Sequence, residues 1–203
     1  MNRQKLKSRH SWALLALTAS LGLVSSCSVR PYSWQGTAYD PPQPAPEINI
    51  SNSSGQRYAL SEQDGVITLL YFGYTYCPDV CPATVAIMSQ VFESLDATPD
   101  EMQFIMISVD PERESPEEVA AYLRRFHPDF VGLWADRTEL DKIQTDYGIV
   151  AIREPSDNPE TYLITHTARV FLIDQHGNLR AHYAFGTTPD AFIADLGYLR
   201  KEQ

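Results

Sequence analysis

Two runs of nearly continuous apolar residues constrain the fold of this 203-residue chain more than any other feature. Residues 65–74, GVITLLYFGY, and residues 103–110, QFIMISVD, have the length of strands but lack the alternation of a strand with one wet face. Such runs are typical of strands buried on both faces of a parallel sheet. Between them, apolar residues recur at helical spacing over 78–96. This strand, helix, strand succession predicts an α/β fold with helices on both faces of the sheet.

The rest of the chain predicts further elements of the same kind. A helix is expected over 115–127, because Ser115 can cap it, Pro116 suits its first position, Glu118 can complete a capping box and Pro128 stops it. Other patterns predict a strand at 130–135, a helix at 138–147, a hairpin or loop at 149–164, an antiparallel hairpin of strands at 168–174 and 179–185, and a helix at 189–200. Together they predict a central mixed sheet flanked by helices, which is the plan of the thioredoxin-like fold.

The N-terminal residues predict export. Residues 1–26 run from a basic stretch through an apolar segment of about 13 residues, too short to span a bilayer, to small residues before Cys27. The ending LVSSC resembles a bacterial lipobox, in which the cysteine becomes the lipidated first residue of the mature protein. We therefore expect a lipoprotein signal peptide at 1–26 and lipidation of Cys27. The alternative is cleavage by a general signal peptidase, which leaves Cys27 as a free thiol or as an intermolecular bridge.

The composition of the next stretch predicts a tether. Residues 27–46 contain five prolines and little periodicity, which favours a semi-rigid linker. Residues 47–203 then have the size of one domain with its own core. The formal net charge of −10 argues against a nucleic-acid-binding protein, because so acidic a surface repels phosphates.

Two of the three cysteines lie in YFGYTYCPDVCP, residues 71–82, where the first apolar strand turns into its helix. With Cys77 at the helix cap and Pro78 at the first helical position, the Cys77 sulfur should lie near unpaired backbone N–H groups, which favour the thiolate. Cys81 returns to nearly the same face one turn later. The two sulfurs can therefore converge on one point.

The neighbouring residues and the spacing leave the use of this pair open. Pro82 is expected to loosen or kink the start of the helix, and Asp79 either satisfies backbone donors or supports a bound cation. Disulfide exchange usually employs C-x-x-C, whereas here three residues intervene. A structural disulfide suits an oxidising compartment, and two thiolates also suit a soft metal ion such as Cu(I).

A third ligand would favour the metal. His127 is expected to cap a helix end, His176 to lie in an exposed turn, and His182 to face solvent or a neighbour from a strand. His166 just precedes the strand at 168–174. In a thioredoxin-like plan the loop entering that strand lies beside the helix start that carries the cysteines. A lone histidine is nevertheless more often a structural group than a ligand.

Three segments in this order, GYTYCPDVCP, SVDPERESPEE and ITHTARVFLIDQHGNLR, resemble the Sco/SenC family of copper chaperones, and the resemblance extends over about 47–203. It implies a thioredoxin-like domain that binds one copper ion, as Cu(I) or Cu(II), through Cys77, Cys81 and His166. It also implies a role in assembling the dinuclear copper centre of cytochrome c oxidase. The implied partner is the oxidase subunit that holds this centre, or another copper chaperone.

The chain departs from the family pattern at two positions. Tyr76 stands where members often have a histidine before the first cysteine, so any auxiliary ligand there is absent. Glu114 stands where the second motif commonly ends in aspartate, which preserves the charge. Asp110 and Arg113, in the same motif, are expected to form an acid–base pair that supports the fold near the site, or to face a partner.

Two functions are therefore expected. The first is a non-enzymatic copper-binding chaperone, lipid-anchored to a bacterial membrane with its domain facing the periplasm or the cell exterior. The second is a thiol-disulfide oxidoreductase, in which Cys77 and Cys81 form a redox disulfide that reduces the cysteines of the copper-receiving protein. His166 discriminates between them, because only copper ligation requires it.

Overall fold

The computed structural model describes residues 32–51, 56–158 and 161–202. The proposed signal peptide and Cys27 lie outside these residues. The strands within them are β1 (Thr37–Pro44), β2 (Asn49–Ser51), β3 (Arg57–Ala59), β4 (Ile67–Gly73), β5 (Met102–Ser108), β6 (Val131–Leu133), β7 (Ala151–Arg153), β8 (Ile164–His166), β9 (Arg169–Ile173) and β10 (Asn178–Ala184). The helices are α1 (Val80–Leu95), α2 (Pro116–Leu123), α3 (Arg137–Tyr147) and α4 (Pro189–Leu199).

Six of these strands form one mixed sheet in the order β1-β10-β9-β4-β5-β6. The strands β4, β5 and β6 are parallel to one another, whereas β9 runs antiparallel to β4, and β10 antiparallel to β9. The predicted mixed sheet with a closing antiparallel hairpin is therefore confirmed. The helix α1 connects β4 to β5 and α2 connects β5 to β6, as parallel pairing requires.

The two central strands are buried over their whole length, as their sequences predict. All seven residues of β4 and all seven of β5 are buried. Two of their polar residues pair with each other, because Gln103 Nε2 donates to Thr68 Oγ1 at 2.9 Å across the β4–β5 pair. The loop that follows β4 therefore leaves from the buried interior of the sheet.

The prediction of a tether over 27–46 is wrong for its second half. Residues 37–44 form β1, which pairs with β10 at the edge of the sheet. The backbone N–H groups of Gln35 and Gly36 also donate to the carboxylate of Asp195 on α4, each at 3.0 Å. The sequence analysis missed this strand because three prolines within it indicate a linker. An edge strand tolerates proline, however, because only one of its sides must supply hydrogen-bond donors. The compact unit starts at Ser33 rather than at residue 47.

The start of α1 also differs from the prediction. The cap is Asp79 rather than Cys77, and the first helical residue is Val80 rather than Pro78. The side chain of Asp79 makes no capping hydrogen bond. Pro82 is the third helical residue, where no intrahelical donor is required, and α1 continues unbroken to Leu95. The expected kink at Pro82 is therefore absent.

The second helix confirms its predicted start. Ser115 and Glu118 form a complete capping box and Pro116 occupies the first turn. The helix ends at Leu123, four residues before the predicted end, and turns of hydrogen-bonded chain continue to His127.

The segment predicted as a hairpin or a loop is a hairpin. The strands β7 and β8 pair antiparallel and place His166 opposite Ala151. The predicted hairpin of β9 and β10 is also present, and α4 begins at Pro189 after Thr188, whose side chain makes no capping hydrogen bond. Among the described residues, no helix combines the length and the apolarity needed to cross a bilayer.

Candidate metal centre

Three separate segments bring two sulfurs and an imidazole together beside the end of β4. Cys77 lies in the loop after β4, Cys81 is the second residue of α1, and His166 is the last residue of β8. His166 Nε2 lies 3.5 Å from Cys81 Sγ, and the Cys77 sulfur accepts the backbone N–H of Cys81 at 3.4 Å. Both cysteines are free thiols. The predicted ligands therefore converge, and the Cys77 sulfur meets a backbone donor of the helix start although Cys77 is not the cap.

The spacing of the donor atoms fits a first-row metal ion only in part. Bonds of about 2.3 Å to sulfur and about 2.0 Å to nitrogen place these atoms about 3.5 Å apart at a tetrahedral angle, which is the separation of Cys81 Sγ and His166 Nε2. As arranged, however, no set of three or more His, Cys, Asp or Glu side chains in the described segments is ready to hold a metal ion. The third ligand would have to be Cys77, which lies half-buried in the loop.

The imidazole of His166 is oriented with its free nitrogen toward the sulfur. Its Nδ1 atom lies 3.3 Å from the carbonyl oxygen of Thr167, so Nδ1 carries the proton and Nε2 keeps its lone pair. Burial lowers the pKa of His166. A neutral imidazole fixed by a backbone acceptor is the form that binds a metal ion.

The two thiols differ in acidity. A hydrogen bond from the Cys81 thiol, assisted by the backbone N–H groups of Asp79 and Cys81, lowers the pKa of Cys77 to about 5. The same hydrogen bond and burial raise the pKa of Cys81, against the opposing effect of donors from Tyr71 and Tyr74. At neutral pH the metal-free pair therefore carries one negative charge, and binding of a metal ion releases the remaining proton.

The last residue of β4 brings the sheet close to the site. A Cβ atom added at Gly73 would lie 2.6 Å from Cε1 of Tyr71 and 3.2 Å from Cys81 Sγ. The hydroxyl of Tyr71 lies 3.4 Å from the same sulfur. Sequence reasoning missed both residues, because their roles depend on how α1 packs over the sheet.

Asp110 and Arg113 support the fold at the site. The Asp110 carboxylate is fully buried and accepts hydrogen bonds from Arg113 Nε, at 2.6 Å, and from the Tyr162 hydroxyl. Arg113 also donates to the carbonyl oxygen of Tyr162 at 2.9 Å and lies over its ring. Since Tyr162 is two residues before β8, this cluster ties the β5–α2 loop to the strand that carries His166.

Asp79, between the two cysteines, is exposed.

Glu114 is a supporting residue whose structural role the sequence did not reveal. One carboxylate oxygen accepts the backbone N–H of Thr75 in the cysteine loop, and the other accepts the Ser108 hydroxyl at the end of β5. Burial raises the pKa of Glu114. Its position among polar residues before a capping box gave no sign of burial.

The three other histidines that the structure describes lie away from the centre. His127 accepts the backbone N–H of Asp129 and stacks on Phe130, so it stabilises the turn after α2 rather than its last carbonyls. His176 is exposed in the turn before β10. His182 is half-buried against Tyr39.

Fold and site together define a thioredoxin-like protein with a dithiol–histidine centre at the start of its first long helix. Comparison with known proteins identifies the family. The model of the SCO1/SenC family matches residues 39–200, and the chain therefore belongs to that family. The match includes all of the site residues.

Relatives agree with this assignment. The chain is 34% identical to the protein SCO1 homolog, mitochondrial, of Homo sapiens over 138 residues, which are 67% of this chain but 46% of the human protein. The solution structure of apo Sco1 from Thermus thermophilus has a TM-score of 0.74 at 31% identity and covers 84% of this chain and 99% of its own. The structure of Bradyrhizobium japonicum ScoI with copper bound has a TM-score of 0.70 at 33% identity, with 76% and 98% covered.

Proposed function

We propose that this protein is a membrane-anchored copper-binding chaperone that delivers copper to the dinuclear centre of cytochrome c oxidase. The observation that carries the proposal is the convergence of Cys77, Cys81 and His166 from three segments, with His166 Nε2 at 3.5 Å from Cys81 Sγ. The copper-bound relative from Bradyrhizobium japonicum supports copper as the ion. One copper ion per domain is expected.

The donor set suits an ion that must be both held and released. Two thiolates favour Cu(I), and an imidazole with two sulfurs also tolerates Cu(II). Three protein ligands leave a position at which a ligand of the receiving protein can enter. Copper can then pass by stepwise exchange of ligands, without turnover of a substrate by this protein.

A second role is favoured by the unequal acidity of the thiols. The Cys77 thiolate is half-exposed and can attack a disulfide of the receiving protein, forming a mixed disulfide and releasing one partner thiolate. Cys81 then attacks the Cys77 sulfur and releases the second partner thiol, which leaves a Cys77–Cys81 disulfide here and two thiols on the partner. The same two sulfurs would serve both roles.

Attachment to a membrane is proposed from the sequence around Cys27, which lies outside the described residues. A diacylated cysteine supplies more than one acyl chain, which gives stable attachment. The domain would then act at the outer face of a bacterial membrane, on the oxidase subunit or on another copper chaperone.

Copper titration of the protein from residue 28 onward tests the proposal. The expected result is one copper per chain and a sulfur-to-copper charge-transfer band in the Cu(II) form. Cys77→Ser should abolish that band, whereas His176→Ala, an exposed histidine in a turn, should leave stoichiometry and band unchanged. Absence of the band, or a stoichiometry that Cys77→Ser does not alter, would refute the copper function.

A further inference from the structure

One buried hydroxyl contacts the centre without belonging to the proposed ligands. Tyr71 lies in the interior of β4, fully buried, with β5 paired on one side of the strand and β9 on the other. Its hydroxyl lies 3.4 Å from Cys81 Sγ, and its ring centroid lies 6.1 Å from that of His166. A strand held on both sides is a rigid support, so the position of this hydroxyl is fixed by the sheet.

The hydroxyl has a role that packing alone does not explain. A phenylalanine would fill nearly the same volume, and burial of a hydroxyl is costly unless it finds a partner. A phenol keeps its proton at neutral pH, so the Tyr71 oxygen acts as the donor toward the sulfur. In the dithiol form the Cys81 thiol donates to the Cys77 sulfur, so the Cys81 sulfur takes up part of the negative charge of the pair and accepts a hydrogen bond better than the uncharged sulfur of a disulfide.

We propose that Tyr71 is a positioning residue of the centre, whose hydroxyl donates to Cys81 Sγ and thereby favours the states with more electron density on that sulfur. Those states are the dithiol relative to the Cys77–Cys81 disulfide, and bound Cu(I) relative to bound Cu(II). The preference for the dithiol over the disulfide concerns the metal-free protein. The preference for bound Cu(I) over bound Cu(II) rests on the copper function proposed above.

The metal-free preference is tested by equilibrating the protein with mixtures of reduced and oxidised dithiothreitol. Each protein disulfide that is reduced consumes one dithiothreitol dithiol and yields its cyclic disulfide. Tyr71→Phe should shift the equilibrium toward the protein disulfide by about fivefold, the effect of one hydrogen bond worth about 1 kcal/mol. Tyr147→Phe is the matched control, because its buried hydroxyl donates to the carbonyl oxygen of Pro46 at 2.7 Å.

An equal shift in the Tyr71→Phe and Tyr147→Phe variants would overturn the proposal. Circular dichroism shows whether each variant folds. Incorporation of 3-fluorotyrosine at position 71 provides a second test that keeps the hydroxyl, because a more acidic phenol is a stronger donor and should shift the equilibrium toward the dithiol. A shift toward the disulfide in that protein would also contradict the proposal.

The copper-loaded preference has a spectroscopic readout. Loss of the hydrogen bond raises the energy of the sulfur donor orbitals, so Tyr71→Phe should move the sulfur-to-copper charge-transfer band to longer wavelength, while Tyr147→Phe leaves it in place. An unmoved band in Tyr71→Phe counts against the proposal. If the unsubstituted protein binds no copper, the proposed function fails, yet the dithiothreitol equilibrium still decides the role of Tyr71.

Discussion

His166 Nε2 lies 3.5 Å from Cys81 Sγ, although 85 residues separate the two along the chain. The contact joins the end of β8 to the first turn of α1. His166→Ala should therefore lower Cu(II) affinity at least about 100-fold, since even residues that only support a ligand commonly change affinity 10- to 100-fold. Disulfide exchange with a small-molecule disulfide should persist.

Competition with a chelator of known affinity measures the change for His166→Ala. His182→Ala is the matched control, because it also removes a half-buried histidine, one that packs against Tyr39. Equal Cu(II) affinities for the two variants would exclude His166 as a ligand.

The acidity of Cys77 predicts a distinct pH profile for its alkylation. The thiolate is the reactive form, and the pKa of Cys77 is lowered to about 5, chiefly by the Cys81 thiol. In the metal-free protein from residue 28 onward, the rate with iodoacetamide should therefore be level through neutral pH and fall with an inflection near 5. Cys81→Ala should move the inflection to higher pH; an inflection unchanged by this variant would refute the assigned cause.

The same shift has a consequence for stability. A thiol whose pKa is lower in the folded state stabilises that state fully above the pKa of the unfolded thiol. This contribution declines as the pH falls toward the folded value of about 5. Denaturant unfolding of the metal-free protein at several pH values, compared with Cys77→Ser, should show the contribution disappear in acid.

Close packing at the end of β4 predicts a large effect for a small substitution. Gly73→Ala places a methyl group against the Tyr71 ring and Cys81 Sγ, so it should destabilise the fold by about 1–3 kcal/mol and weaken copper binding. Gly197→Ala on α4, where no atom beyond the adjoining backbone of its own helix lies within 4 Å of the added Cβ, should instead stabilise by about 0.5–1 kcal/mol. Urea unfolding measures both, and a neutral Gly73→Ala would contradict the packing seen here.

The buried pair behind the site predicts a further contrast. Arg113→Ala leaves the buried carboxylate of Asp110 without its charge partner and should cost about 3 kcal/mol. It should also loosen the segment that leads to His166. Lys142→Ala breaks an exposed pair with Asp146 and should change the free energy of unfolding by less than about 1 kcal/mol. Similar losses in both variants would mean that the Asp110 cluster is not a buried support.

Prediction from sequence succeeded where a residue pattern is local. The buried strands β4 and β5 followed from continuous apolar runs, and the start of α2 followed from its capping box. The convergence of Cys77, Cys81 and His166 required the fold plan and the family resemblance, because spacing alone left disulfide and metal chemistry open.

The missed features depend on tertiary approach. Glu114 and Tyr71 gain their roles only when the cysteine loop and α1 lie against the sheet. The cap of α1 is Asp79 rather than Cys77; aspartate is a favoured cap residue, but the preference of proline for the first helical position had favoured a start at Pro78. Edge pairing of β1 was hidden because proline density usually indicates a linker.

The prolines of β1 also bear on how the folded protein avoids unwanted association. As the end strand of the sheet, β1 would offer its outer edge to the strand of any neighbouring molecule. Pro41, Pro42 and Pro44 leave β1 with three fewer amide donors for any further strand pairing. The opposite end strand, β6, is only three residues long. Both end strands of the sheet are therefore poor templates for strand addition by another molecule. This limits aggregation, which would otherwise cover the reactive thiols.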